Sequence, residues 1–133
     1  MPQTVDQALK NAQLYTDQLE YSLVHLPPNA IMVAAGVIAE IGEPFGAMIV
    51  DKDEVTLVIP ADAVADFSKR LREHRLSDTS YRLITFDIEL EATLTGFMAR
   101  ISQALAGAGI PILPFAAFSR DHLLVPSAHQ VIA

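Results

Sequence analysis

Cysteine is absent from the 133 residues, so the chain has no disulfide, no thiolate metal site and no cysteine nucleophile. Tryptophan is absent as well, and cations are scarce: 9 Lys and Arg stand against 16 Asp and Glu, a formal charge of -7. Phosphate-rich partners call for a basic face, so nucleic acid is excluded as a partner on this balance. The longest apolar run, Ala30 to Ala39, is about half of what a bilayer span needs, and Met1-Pro-Gln-Thr-Val-Asp6 lacks the basic and apolar regions of a signal peptide. No membrane partner and a cytoplasmic location are therefore expected. What the chain does have is apolar content: 51% of its residues are hydrophobic and mean hydropathy is +0.32. Large exposed apolar patches are rare on monomers, so the excess predicts burial between internal units or against a second copy.

The chain repeats itself. Tyr21-Ser-Leu-Val-His-Leu26 is followed by an apolar helical stretch and then Glu54-Val-Thr-Leu-Val-Ile-Pro60; Tyr81-Arg-Leu-Ile-Thr-Phe86 is followed by a helical stretch and then Asp121-His-Leu-Leu-Val-Pro126. A period of roughly sixty residues is too long for a solenoid and suits two copies of a small α+β unit. Each copy reads βαββα, a ferredoxin-like sandwich with helices on one face of an antiparallel sheet. The expected divisions are an N-terminal helix within 1–20, a first unit over 21–76, and a second over 80–133 whose last helix is cut short.

Local signals fill in the elements. Thr4 and Gln7 have capping-box spacing, and Val5, Ala8, Leu9, Ala12, Tyr15 and Leu19 recur at helical intervals, which predicts a helix over about residues 5–18. That extra helix is expected to cover sheet left open by the truncated end. Asn29 is a candidate cap for a helix over 30–41 that stops at Gly42. Asp51-Lys-Asp-Glu54 reads as a polar hairpin loop, and Pro60-Ala-Asp62 opens a helix carrying Val64, Phe67 and Leu71 inward. In the second unit a strand over 81–90, with a possible bulge at Phe86, precedes a helix capped by Thr93 or Thr95. Its stripe is Leu94, Phe97, Met98, Ile101 and Leu105, and Gly107 and Gly109 stop it. Strands over 110–118 and 122–125 close the unit.

Catalytic signals are missing. The four histidines include no pair at metalloprotease spacing, and Asp121 and His122, adjacent on a strand, point to opposite faces. The three carboxylates of the 51–54 loop lack the glycine and the terminal glutamate spacing of a calcium loop. Gly107-Ala-Gly109 ends a helix rather than opening one, the reverse of a dinucleotide loop. No enzyme, no cofactor and no metal site is expected. The one site-like place is Ala92-Thr-Leu-Thr-Gly96, where a strand turns into a helix and Gly96 lets a small ligand approach backbone amides.

The stretch Gly109-Ile-Pro-Ile-Leu-Pro-Phe-Ala-Ala-Phe-Ser-Arg-Asp-His-Leu-Leu-Val-Pro126, preceded by Leu94-Thr-Gly96 and an amphipathic helix, resembles the ACT domain. It looks like the tandem form of small bacterial proteins, related to the ACT units of the eukaryotic cytosolic arginine sensor. The first unit fits more loosely, through Leu26-Pro-Pro28 and Asp53-Glu54-Val-Thr-Leu-Val58. The resemblance implies two ACT-like units packed together, a homodimer, and regulatory binding of an amino acid or related metabolite at the interface between units, without chemistry. Carried over, the ligand-binding positions are Leu94, Thr95, Gly96, Ala117, Phe118 and Asp121. Ala116-Ala117 depart from the Ser-Thr of the family, which removes two hydroxyls that satisfy a zwitterion. The alternative is a structural or protein-interaction module with a degenerate ligand site.

Overall fold

A computed structural model describes residues 3–11, 13–42, 45–90 and 96–127. The elements in chain order are α1 (Val5–Asn11), β1 (Gln13–Tyr15), β2 (Glu20–Leu26), a 3-10 turn (Pro28–Ala30), α2 (Ile31–Ile41), β3 (Ala47–Val50), β4 (Val55–Pro60), α3 (Ala61–Phe67), β5 (Arg75–Leu76), β6 (Tyr81–Asp87), α4 (Phe97–Gly107), β7 (Leu113–Ala116) and β8 (Asp121–Pro126). The chain divides into a continuous unit, Leu19–Tyr81, and a split unit made of Met1–Gln18 with Arg82–Ala133.

In the continuous unit β4 lies between β3 and β2, antiparallel to both, and β5 pairs with β2. Alternation decides which side is packed: Val24 and Leu26 of β2 and Val55, Leu57 and Ile59 of β4 meet Ala34 and Val37 of α2 and Val64 and Leu71 beyond. The 51–54 loop is held by its own carboxylate, since Asp51 Oδ1 accepts the amides of Asp53 at 2.8 Å and Glu54 at 2.9 Å. After Phe67 the chain makes one more turn, with the Leu71 amide donating to the Phe67 carbonyl at 3.1 Å, and this buries Leu71 completely. Arg70 sits over the Phe67 ring and pairs with Glu40 at 2.9 Å. Asn29 does not cap α2: it lies inside the 3-10 turn, and no side chain bonds the helix start. At the other end α2 stops at Gly42, whose φ of 73° suits glycine. Only Ala34 and Val37 of α2 are buried, and Met32 is 83% exposed, so the cover expected around this apolar helix is not supplied within the chain's described residues.

The split unit has the same strand order. β8 lies between β7 and β6, and β1 pairs antiparallel with β6 through Gln13↔Asp87, Leu14↔Phe86 and Tyr15↔Thr85. β1 thus stands in this sheet where β5 stands in the other. The N-terminal helix is shorter than expected, ending at Asn11, because the residues after it are drawn into pairing with β6. Thr4 and Gln7 do form the capping box: each side chain bonds the other's amide at 3.1 Å. The register with β1 runs unbroken through Phe86, so there is no bulge there; Leu83, Ile84, Thr85 and Phe86 are buried in succession, and burial of both faces erases the alternation. Ala8 of α1 joins Ile84, Phe86, Phe97, Ile110, Leu123 and Val125 in one core, with the Phe86 and Phe97 rings edge to face at 5.5 Å. α4 closes in a Schellman arrangement: Gly109, at φ 76°, donates to the Ala106 carbonyl at 3.0 Å and Ile110 to that of Leu105 at 2.9 Å. The expected caps Thr93 and Thr95, and all of the expected last helix beyond Ser127, lie outside the described residues.

A candidate ligand site at the start of helix α4

The residue that starts α4 is Gly96, in the left-handed region at φ 86°. A side chain at that φ is strained, so the chain enters this helix by a route that glycine alone takes easily. Val5 Cγ2 lies 3.6 Å from where a Cβ would be, which brings the N-terminal segment alongside. The first intrahelical bond runs from the Arg100 amide to the Gly96 carbonyl at 2.9 Å. The amides of Phe97, Met98 and Ala99 therefore precede the helical ladder, at the positive end of the helix dipole.

Opposite them is the β7–β8 turn. Ala117 donates its amide to the Arg120 carbonyl at 2.9 Å, and Leu90, just beyond β6, donates to the Ser119 carbonyl. Arg120 is committed to the wall, its Nε 3.2 Å from Asp87 Oδ1. A cavity of about 380 Å³ lies between helix start and turn. Gly96, Ala117, Phe118 and Asp121 all line it, and Leu94 and Thr95 lie outside the described residues. Leu90, Met98, Ser119 and Arg120, which are not among the expected site residues, also line it, as does Ala116, one of the two positions that depart from the family's Ser-Thr. The signal for Arg120 was its position next to Asp121; for Met98, its place in the first turn of the helix. Phe118 is 100% exposed at the rim.

Asp121 enters β8 opposite Ala116. Burial pushes its carboxyl above the usual carboxylate range, opposed by the neighbouring His122. His122 Nδ1 lies 2.8 Å from Thr85 Oγ1. Burial lowers its pKa, with the Asp121 charge opposing and Arg120 adding. The site therefore offers amide donors on one side and a carboxyl on the other. Among the described residues no group of three His, Asp or Glu side chains is placed to hold a metal ion, and no helix is long and apolar enough to cross a membrane.

The ACT domain family model matches residues 76–131, a span that contains β6, α4, β7, β8 and the whole cavity lining. No curated protein matches the chain. Among solved structures it is similar to a protein of Agrobacterium tumefaciens, 22% identical, covering 91% of this chain and 82% of that one with a TM-score of 0.71. It is also similar to a Vibrio cholerae protein of unknown function, a possible transport protein, 20% identical over 90% of this chain and 81% of that one with a TM-score of 0.69. The ligand-free regulatory subunit of aspartate kinase from Thermus thermophilus is 18% identical, covering 90% and 88% with a TM-score of 0.64. The fold is thus the mixed α+β, antiparallel, ferredoxin-like arrangement shared with the regulatory subunit of aspartate kinase.

Proposed function

We propose that the chain is a non-catalytic regulatory protein that binds a small amino-acid-type metabolite in the cavity at the start of α4. The observation that carries this reading is the convergence of the Phe97, Met98 and Ala99 amides with Asp121 across one cavity. A ligand carboxylate is satisfied by helix-start amides, and an ammonium by Asp121 through a charge-assisted bond. Leu94 and Thr95 belong to the proposed ligand-binding set through the resemblance, and Ala117 and Phe118 form the apolar side of the cavity. With Ala116 and Ala117 supplying no hydroxyls, the apolar contact selects a ligand with a hydrophobic side chain. The ACT-domain match and the likeness to aspartate kinase regulatory domains support a regulatory role. A thermal-shift screen over amino acids tests the proposal, because a ligand held by the native state alone raises the melting temperature by mass action.

The second reading, an interaction module without a ligand, is favoured by Phe118, a fully exposed aromatic at the rim. A partner protein, rather than a metabolite, then raises the melting temperature. In either reading a homodimer is proposed, with the exposed Ile31, Met32 and Val33 of α2 covered by a second copy. Light scattering distinguishes it from a monomer of 14.4 kDa.

A further inference from the structure

A second cavity in the split unit lies away from the α4 start, between α4 and the sheet, with a volume of about 330 Å³. Its walls are hydrocarbon: Leu9 of α1, Leu14 of β1, Phe86 and Leu123 of the sheet, and Ile101 and Leu105 of α4. The two units differ in how many apolar side chains their closing segments bury. In the continuous unit α3 and the turn after it deliver Ala63, Val64 and Leu71 into the core. α1 delivers only Ala8 as a buried residue, and β1 leaves Leu14 57% exposed. An open cleft with apolar walls of this kind accepts apolar guests.

The one charged residue in the lining is Arg100. Its Nη2 holds Asp6 Oδ1 at 3.0 Å, with both side chains largely in water. Such surface pairs are weak, and the remaining guanidinium donors are suited to a second carboxylate. An apolar cleft with one guanidinium in its lining matches the chemistry of a molecule that is hydrocarbon at one end and anionic at the other. We propose that this cleft binds a small amphiphilic carboxylate, with its hydrocarbon between α4 and the sheet and its carboxylate on Arg100.

Octanoate is the probe, titrated into the full chain by calorimetry, with octanol as the uncharged control. Octanoate is expected to bind and octanol to bind at least several-fold more weakly. Arg100→Gln should weaken octanoate about tenfold, the usual size of a lost charge-assisted bond. Asp6→Asn removes the competing carboxylate and should tighten it. Ala104→Phe fills the cleft and should abolish binding; if that variant fails to fold, Leu14→Glu, at an exposed position, sets a like charge in the lining and should weaken octanoate strongly. Asp121→Ala, in the other cavity, should leave octanoate affinity unchanged. Absence of octanoate binding, or equal affinity in wild type and the cleft-filled variant, overturns the site. Equal binding of octanol and no effect of Arg100→Gln overturn the carboxylate.

Discussion

The two units have the same strand order and are completed differently. The continuous unit finishes itself: α3, the turn after it and β5 follow directly along the chain, and their apolar side chains fill the core. The split unit takes its fourth strand and its second helix from the N-terminus, far away in sequence, and receives less from them. Both the cavity at the start of α4 and the apolar cleft between α4 and the sheet lie in the split unit. Cavities of about 370 and 450 Å³ also open on the continuous unit, so the contrast lies in how each core is completed and not in which unit has clefts.

That contrast breaks most sharply under truncation of one closing residue in each unit. Leu71→Ala removes a fully buried side chain from the continuous unit and should cost about 2–5 kcal/mol. Leu9→Ala, in the partly buried α1, should cost about 1 kcal/mol, because its site is already open to water. Urea unfolding of the two variants measures both. Equal losses would mean that α1 closes its unit as fully as α3 closes the other.

The next effect in size belongs to the backbone at the site. Gly96→Ala forces a β-carbon into the left-handed region and should cost about 1–2 kcal/mol, read by thermal unfolding. The space around that position is ordinary, so the loss comes from φ and not from a clash. Thr4→Ala removes the hydroxyl that accepts the Gln7 amide, and about 1 kcal/mol with it.

The smallest effect is titration. His122 has a pKa lowered from 6.5, so its neutral form is preferred in the native state. Its contribution is complete above pH 6.5 and is lost as pH falls below that, because the unfolded chain takes up the proton first. Asp121 acts oppositely: its raised pKa means that its ionisation costs stability above 3.8, a cost that disappears as pH falls through the folded-state value. His122→Gln should therefore flatten the stability profile just below pH 6.5, and Asp121→Asn should raise stability at neutral pH, both read from urea midpoints across pH.

The same contrast explains what was legible in the sequence. Local chemistry was: the Thr4 and Gln7 capping box, the glycine stop at 107–109 and the proline that opens α3 each act over a few residues, and each appears in the structure. The strand β1 was not, because Tyr15 continues a helical spacing and only its pairing with β6, seventy residues on in the chain, makes it extended. β5, two residues long and half charged, carried no alternation to read. Of the candidate site, the turn at Gly96 was legible from the residues, whereas Ala117, Phe118 and Asp121 came from the resemblance, because they lie on a separate loop that only the tertiary fold brings to the same cavity. The apolar cleft was illegible for the same reason that β1 was, since it depends on where α1 stops.

The most direct test of the central claim is the melting temperature of the wild-type and Asp121→Ala chains with each proteinogenic amino acid at millimolar concentration. The account predicts that at least one amino acid with an apolar side chain raises the wild-type value, and that the shift is lost in Asp121→Ala while the unliganded variant remains folded. No shift with any amino acid, or an equal shift in both chains, would contradict it.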